Sequence, residues 1–313
     1  MIDRLADTWH AADGWPIRRV VLPCGGEERG SLLFLAGRGD FMEKYAETMQ
    51  HWADRGWMVD SFDWRGQGGS GRFAPDPWIG HVDDFACWFT DLEDYCAHWR
   101  GRTSAPHVIV AHSMGGHILL RALAEGRVTA DAAVLIAPML GIGGLGLPHV
   151  LGARIAALAC ALGHSGRAMW RPRGSSRKVE ELVRHVLTHS VERYAGEARV
   201  RREQPELVMG PPSWGWLSAA FRSIGIMRRP GYLERVTTPV MILATTGDRL
   251  VSTPAIARMA RRLPHVRLHH YGRHVAHEIL REVDDVRDDA LARIDAFLAE
   301  YAPSSRRADA AHA

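Results

Sequence analysis

Ser113 stands in Ala111-His112-Ser113-Met114-Gly115-Gly116, directly after the apolar run Val108-Ile109-Val110 and directly before Ile118-Leu119-Leu120-Arg121-Ala122-Leu123. The pattern reads as a buried strand, a turn that admits only small neighbours, and a helix. A serine in such a turn has its hydroxyl pushed clear of the sheet. The backbone N–H of the next residue, Met114, points toward the oxygen that becomes negative in acyl transfer. The chemistry implied is nucleophilic attack on a carbonyl. Ala111 replaces the first glycine of G-x-S-x-G, and one extra methyl group is tolerable where a larger side chain would not be. The competing reading is a serine that caps an ordinary helix.

An activated serine needs a base, and the base needs an orienting carboxylate. Downstream, Pro239-Val240-Met241-Ile242-Leu243-Ala244 reads as a buried strand ending in Thr245-Thr246-Gly247-Asp248, which puts Asp248 at the carboxyl edge of a sheet. Val266-Arg267-Leu268-His269-His270-Tyr271 is the next strand, and it leads to His274 and His277. Either histidine completes the order serine, acid, base. His277 is favoured because Glu278-Ile279-Leu280 begins a helix beside it. An aspartate in a Gly-Asp loop can equally be a turn former. A histidine near the C-terminus can equally be a solvated side chain.

The second anion-hole donor is expected after the strand Ser31-Leu32-Leu33-Phe34-Leu35-Ala36, where Gly37 allows close approach and the N–H of Arg38 is the candidate partner of Met114. Three strings then carry a resemblance: Ala36-Gly37-Arg38-Gly39-Asp40-Phe41-Met42-Glu43-Lys44-Tyr45, Asp63-Trp64-Arg65-Gly66-Gln67-Gly68-Gly69-Ser70-Gly71-Arg72, and His277-Glu278-Ile279-Leu280-Arg281-Glu282. Together with Gly56-Trp57-Met58-Val59-Asp60 and Gly210-Pro211-Pro212-Ser213-Trp214-Gly215-Trp216, they resemble the lysophospholipase and monoacylglycerol lipase branch of the α/β-hydrolase superfamily, of the S33 serine aminopeptidase type. Within it the chain is most similar to the bacterial lysophospholipase L2 type. The resemblance implies His277 as the base and an ester hydrolase that needs no cofactor and no metal. Ala36 stands where that family often has histidine, which bears on substrate preference more than on chemistry.

The elements that must position these groups follow an α/β alternation. Strands are expected near 17–23, 31–36, 57–62, 106–111, 132–138, 239–245 and 266–271, and helices near 41–54, 83–99, 114–125, 253–262 and 284–300. This is an α/β-hydrolase fold with a mostly parallel sheet, helices on both faces and a helical cap insertion. Residues 1–138 and 239–301 are expected to form the core, 139–238 the cap or lid, and 302–313 a disordered tail. The cap holds 15 Lys and Arg against 7 Asp and Glu, whereas the remainder has 24 against 29. A basic cap on an acidic body suits an anionic lipid surface or a phosphate-bearing substrate. Arg167, Arg171, Arg173, Arg177 and Lys178 cluster around Trp170. The glycine- and leucine-rich start of the cap, with Leu140, Leu145 and onward to Leu158, reads as an apolar strip over the serine. Trp214, Trp216 and Phe221 are expected to close the other side of the pocket.

Other motifs fall away. Gly66 to Gly71 satisfies G-x-G-x-x-G, but Pro75 and Pro77 prevent the helix that would bind a pyrophosphate. His277-Glu278 opens like a zinc-protease helix, but Arg281 occupies the second histidine's place. Cys24, Cys87, Cys96 and Cys160 have no C-x-x-C spacing and read as reduced, buried side chains. The N-terminus carries Asp3 and Asp7 and no long apolar run, so no signal peptide is expected. The expected protein is cytoplasmic, with its basic cap able to touch the inner membrane peripherally. Its partner is a small-molecule lipid ester, not nucleic acid. A short-chain carboxylesterase, a small-amide hydrolase and a non-catalytic ligand receptor on the same fold are the alternatives.

Overall fold

The computed structural model describes residues 2–144, 148–170 and 177–304. One sheet contains β1 (Ala6–His10), β2 (Pro16–Leu22), β3 (Gly30–Leu35), β4 (Trp57–Phe62), β5 (His107–His112), β6 (Ala132–Ile136), β7 (Val240–Thr245) and β8 (Val266–Tyr271). Its spatial order is β1-β2-β4-β3-β5-β6-β7-β8. The pairs β1–β2 and β2–β4 are antiparallel and every other pair is parallel. Strands β3, β5, β6 and β7 are buried along their whole length. Such strands are unbroken apolar runs because helices cover both faces of a parallel sheet.

The covering helices are α1 (Ile2–Leu5), α2 (Ala46–Ala53), α3 (Ala86–Arg102), α4 (Ser113–Ala124), α9 (Thr253–Ala260) and α10 (Asp284–Tyr301). Between β6 and β7 the chain forms α5 (His149–Ala159), α6 (Arg177–Leu187), α7 (Val191–Glu203) and α8 (Trp214–Met227). α4 is apolar on almost every side and buried from Met114 to Leu120. A helix of that kind is part of the core and cannot drift. Its first residue is Ser113.

Several expectations are corrected. β1 was not foreseen: it is a polar edge strand with only half-buried inward positions, so it lacks a hydrophobic signature. β6 stops at Ile136, because Ala137 turns to φ 43° and Pro138 has no N–H for the ladder. After His277 the backbone makes only a single 3-10 turn, Ile279–Arg281. Of the four free cysteines only Cys96 is buried, while Cys24, Cys87 and Cys160 are half-buried. Ala302, assigned to the tail, is packed in the core, and residues 305–313 lie outside the described residues. Among the described residues no helix is long and apolar enough to cross a membrane.

Candidate active site

Parallel register brings the carboxyl ends of β3, β5, β6, β7 and β8 to one edge of the sheet. Leu35 of β3 pairs with Ala111 of β5, His112 of β5 with Ile136 of β6, and Thr245 of β7 with Tyr271 of β8. The chain then reverses from β5 into α4 within one residue. Ser113 has φ 51°, a left-handed conformation that costs a non-glycine residue about 1–3 kcal/mol and is held by surrounding packing. That packing requires glycine at 115, where a Cβ would lie 2.5 Å from the Ala36 carbonyl oxygen. The Ser113 carbonyl accepts from the Met139 N–H at 2.9 Å, tying the bend to the loop after β6.

The three groups expected to act together do meet. Ser113 Oγ is 2.9 Å from His277 Nε2, and His277 Nδ1 is 2.6 Å from Asp248 Oδ2. The other Asp248 oxygen accepts the N–H groups of Leu250 and Val251 at 2.8 and 2.9 Å. Burial pushes the Asp248 pKa up, but the His277 charge and hydrogen bond and the two backbone donors outweigh it, leaving the carboxyl below its ordinary 3.8. For His277 burial favours the neutral ring, yet Asp248, then Glu278 and Asp40, raise its pKa above 6.5. The Thr245 hydroxyl donates to the Val275 carbonyl at 2.7 Å and accepts from the Gly247 N–H at 3.0 Å, so the acid loop and the base loop are stapled together. His274 takes no part in this chain of bonds.

A cavity of about 440 Å³ opens over Ser113 and His277, walled by Met139, Ile142, Met169, Met209, Trp216 and Leu217. Its size and apolar lining suit a ligand with a hydrocarbon part. Of the expected substrate contacts, Trp216 lines it. Leu140 does not: past the bend at Ala137, Met139 faces the cavity and Leu140 turns into the core. Trp214 is half-buried against the core, off the cavity wall. Phe221 packs on α5 instead, where a Cβ on Gly152 would lie 2.7 Å from its ring. Leu145, Arg171 and Arg173 lie outside the described residues. Trp170 is an exposed wall residue of the cavity. The expected apolar strip therefore splits: Met139 and Ile142 face the serine, whereas Leu151, Ile155 and Leu158 face solvent.

Sequence reasoning missed the polar layer behind His277. The His112 ring packs on the His277 ring with centroids 4.8 Å apart, and its Nδ1 is 2.9 Å from the Tyr45 hydroxyl. Burial keeps the His112 pKa below its usual value and so favours the neutral ring. Lys44 Nζ donates to Asp40 at 2.6 Å and to Glu278 at 2.5 Å, and Arg281 bridges Glu278 and Glu197. The same loop is pinned from the β6–β7 segment: the Glu278 N–H donates to the Leu187 carbonyl at 2.8 Å, and the Thr188 hydroxyl to the Arg281 carbonyl at 2.6 Å. The adjacency of Lys44 and Tyr45 to Asp40, and of Glu278 to His277, was the available signal.

The fold and this arrangement define an α/β hydrolase, a class that carries its nucleophile on a strand-to-helix bend at the carboxyl edge of the sheet. The chain belongs to the serine aminopeptidase S33 family, whose model matches residues 26–284. It is 29% identical to lysophospholipase L2 of Escherichia coli strain K12, over 94% of this chain and 88% of that protein. It is 27% identical to a probable lysophospholipase L2 of Haemophilus influenzae, over 86% of this chain and 84% of that one. Among solved structures, a soluble variant of monoglyceride lipase from Saccharomyces cerevisiae in complex with a substrate analog superposes with a TM-score of 0.75. That match has 19% identity and covers 96% of this chain and 95% of the other.

Proposed function

We propose that this enzyme cleaves single-chain lipid esters, lysophospholipids or monoacylglycerols, through an acyl-enzyme on Ser113. The observation that carries the reading is the unbroken Ser113–His277–Asp248 hydrogen-bond chain on the floor of an apolar cavity. Ser113 Oγ attacks the ester carbon while its proton passes to His277 Nε2. The oxyanion is received by the N–H groups of Met114 and Arg38. Met114 lies in the first turn of α4, where N–H groups have no partner within the helix. The imidazolium, stabilised by Asp248, gives its proton to the leaving alcohol. Water then enters, loses a proton to His277, and releases the fatty acid. The names of the L2 relatives support the lipid substrate.

Acyl length tests this reading. Each methylene buried in the cavity contributes about 0.8 kcal/mol, so kcat/KM on matched lysophospholipids, monoacylglycerols and aryl esters is expected to rise about fourfold per methylene until the cavity is filled. An optimum at acetyl would replace it with a short-chain esterase or small-amide hydrolase. No burst of released alcohol from any activated ester would replace it with a ligand receptor.

A lipid-surface contact belongs to the same reading. α5 is inverted relative to an ordinary surface helix: Gly152 and Ala156 face inward, while Leu151, Ile155 and Leu158, then Leu162 in the next turn, form one outward stripe beside the exposed Arg154. Leu158 and Leu162 are 61% and 64% exposed. An apolar stripe with a cation beside it fits the interface of an anionic bilayer. Leu158→Asp with Leu162→Asp is expected to weaken co-sedimentation with phosphatidylglycerol vesicles at least tenfold without changing turnover of a water-soluble butyrate ester. Equal sedimentation of variant and parent would reject the contact.

A further inference from the structure

Two cations lining the cavity, Arg38 and Arg249, have no acidic partner among the described residues; Arg249 is exposed, whereas Arg38 is half-buried. Its Nη2 donates to the Gly210 carbonyl at 2.8 Å, and its Cζ lies 5.2 Å from the centre of the Trp216 ring. Its Nε is enclosed without a hydrogen-bond partner. Among the described residues, one of its five N–H donors has a partner. Two further cations at the site are committed: the buried Lys44 to Asp40 and Glu278, and the partly exposed Arg201 to Glu197 at 2.6 Å. Asp40 cannot turn toward Arg38 without releasing the Gly37 N–H and Lys44. Burial pulls the Arg38 guanidinium down to about 10 against the opposing charge of Asp40. A half-buried arginine whose neighbours are one carbonyl and one indole face is a cost to the free protein. An anion taking up its remaining donors relieves that cost.

We propose that the Arg38 side chain receives the phosphate of a single-chain phospholipid whose acyl ester lies at Ser113. This rests on the lipid-ester reading above and names its head group. Gly37, the preceding residue, packs against the nucleophile, since a Cβ there would lie 3.1 Å from Ser113 Cβ. The guanidinium is thus one arginine side chain away from the reacting ester. An extended glycerol separates acyl carbon from phosphorus by roughly 7 Å on ordinary bond lengths, a comparable reach. A planar guanidinium pairs with phosphate oxygens through parallel N–H bonds. A neutral monoacylglycerol leaves those donors unpaired. Arg38 is therefore the residue that sets preference between the two lipid classes, its N–H acting at the ester and its side chain at the head group.

The test compares kcat/KM for a decanoyl lysophosphatidylglycerol and for decanoylglycerol, both below their aggregation concentrations so that surface binding does not enter. In Arg38→Met the ratio of the two is expected to fall tenfold or more, and Arg38→Lys is expected to recover part of it. On the parent enzyme, glycerol phosphate should inhibit decanoylglycerol hydrolysis competitively, and more strongly than inorganic phosphate at equal concentration. Equal losses on both lipids would reduce Arg38 to a strut between Gly210 and Trp216 and overturn the proposal. If the Met variant does not fold, failure of glycerol phosphate to inhibit the parent overturns it. A parent enzyme that cleaves both lipids without favouring the phosphate overturns this inference alone, whereas one that cleaves neither overturns the lipid-ester reading.

Discussion

Ser113→Ala is expected to lower kcat/KM by about a million-fold on every ester the parent cleaves, the size of loss seen when the nucleophile of a comparable triad is removed. It should also end covalent labelling by a fluorophosphonate. The size follows from the absence of a substitute: among the described residues lining the cavity, Ser113 is the sole hydroxyl, and no thiol lines it. His112 is buried beneath His277 and committed to Tyr45, and Lys44 is held as a cation by two carboxylates. The fold should survive. The Ser113 side chain makes one hydrogen bond, to His277, and alanine meets the same backbone strain at φ 51° as serine does. Thermal unfolding should shift by no more than a few degrees. Retention of more than a per cent or so of the activity in a folded variant would move the nucleophile elsewhere and end the acyl-enzyme reading.

Much of this site was legible because its positions follow from strand ends. The runs at Leu32–Leu35, Val108–Ala111 and Val240–Ala244 are continuous and apolar, as strands covered on both faces must be. Each is followed by residues too small or too polar to continue it. The order Ser113, Asp248, His277 then sufficed to bring three groups to one edge. Direction along irregular backbone was not legible. Met139 and Leu140 are equivalent by composition, and only the bend at Ala137 decides which one faces the cavity. α5 misled for a different reason. Its large residues suggested an inner face, but close approach to Phe221 selects Gly152 inward and leaves the leucines outside. The polar layer was hidden because its bonds span the chain, as when Lys44 reaches Glu278 across 234 positions. Asp40, Lys44 and Tyr45 lie close in sequence, as do His277 and Glu278, but nothing local joins the one group to the other. Only a fold that sets the loop after β3 against the loop after β8 does.

Asp248→Asn is expected to lower kcat/KM about ten-thousand-fold and to shift what remains toward acid. The aspartate accepts the Nδ1 proton of His277 at 2.6 Å and is itself fixed by the N–H groups of Leu250 and Val251. An asparagine oxygen that keeps the backbone donors presents its NH₂ to Nδ1, which turns the ring to the tautomer with its proton on Nε2. That nitrogen can no longer accept from Ser113. The direction of the pH shift follows from the same bond. In the parent, burial lowers the His277 pKa and Asp248 is the largest influence opposing it, so the net value stands above 6.5 and activity should rise as pH passes above that point. Removing the carboxylate removes the leading support of the imidazolium. Glu278 and Asp40 remain, but both are shared with Lys44, so burial gains weight and the midpoint falls. A pH–rate profile of the variant at high enzyme concentration reads both effects at once. A midpoint equal to the parent's would mean that the group limiting the rate is not the ring Asp248 touches, and the base would then have to be sought outside the Ser113–His277 pair.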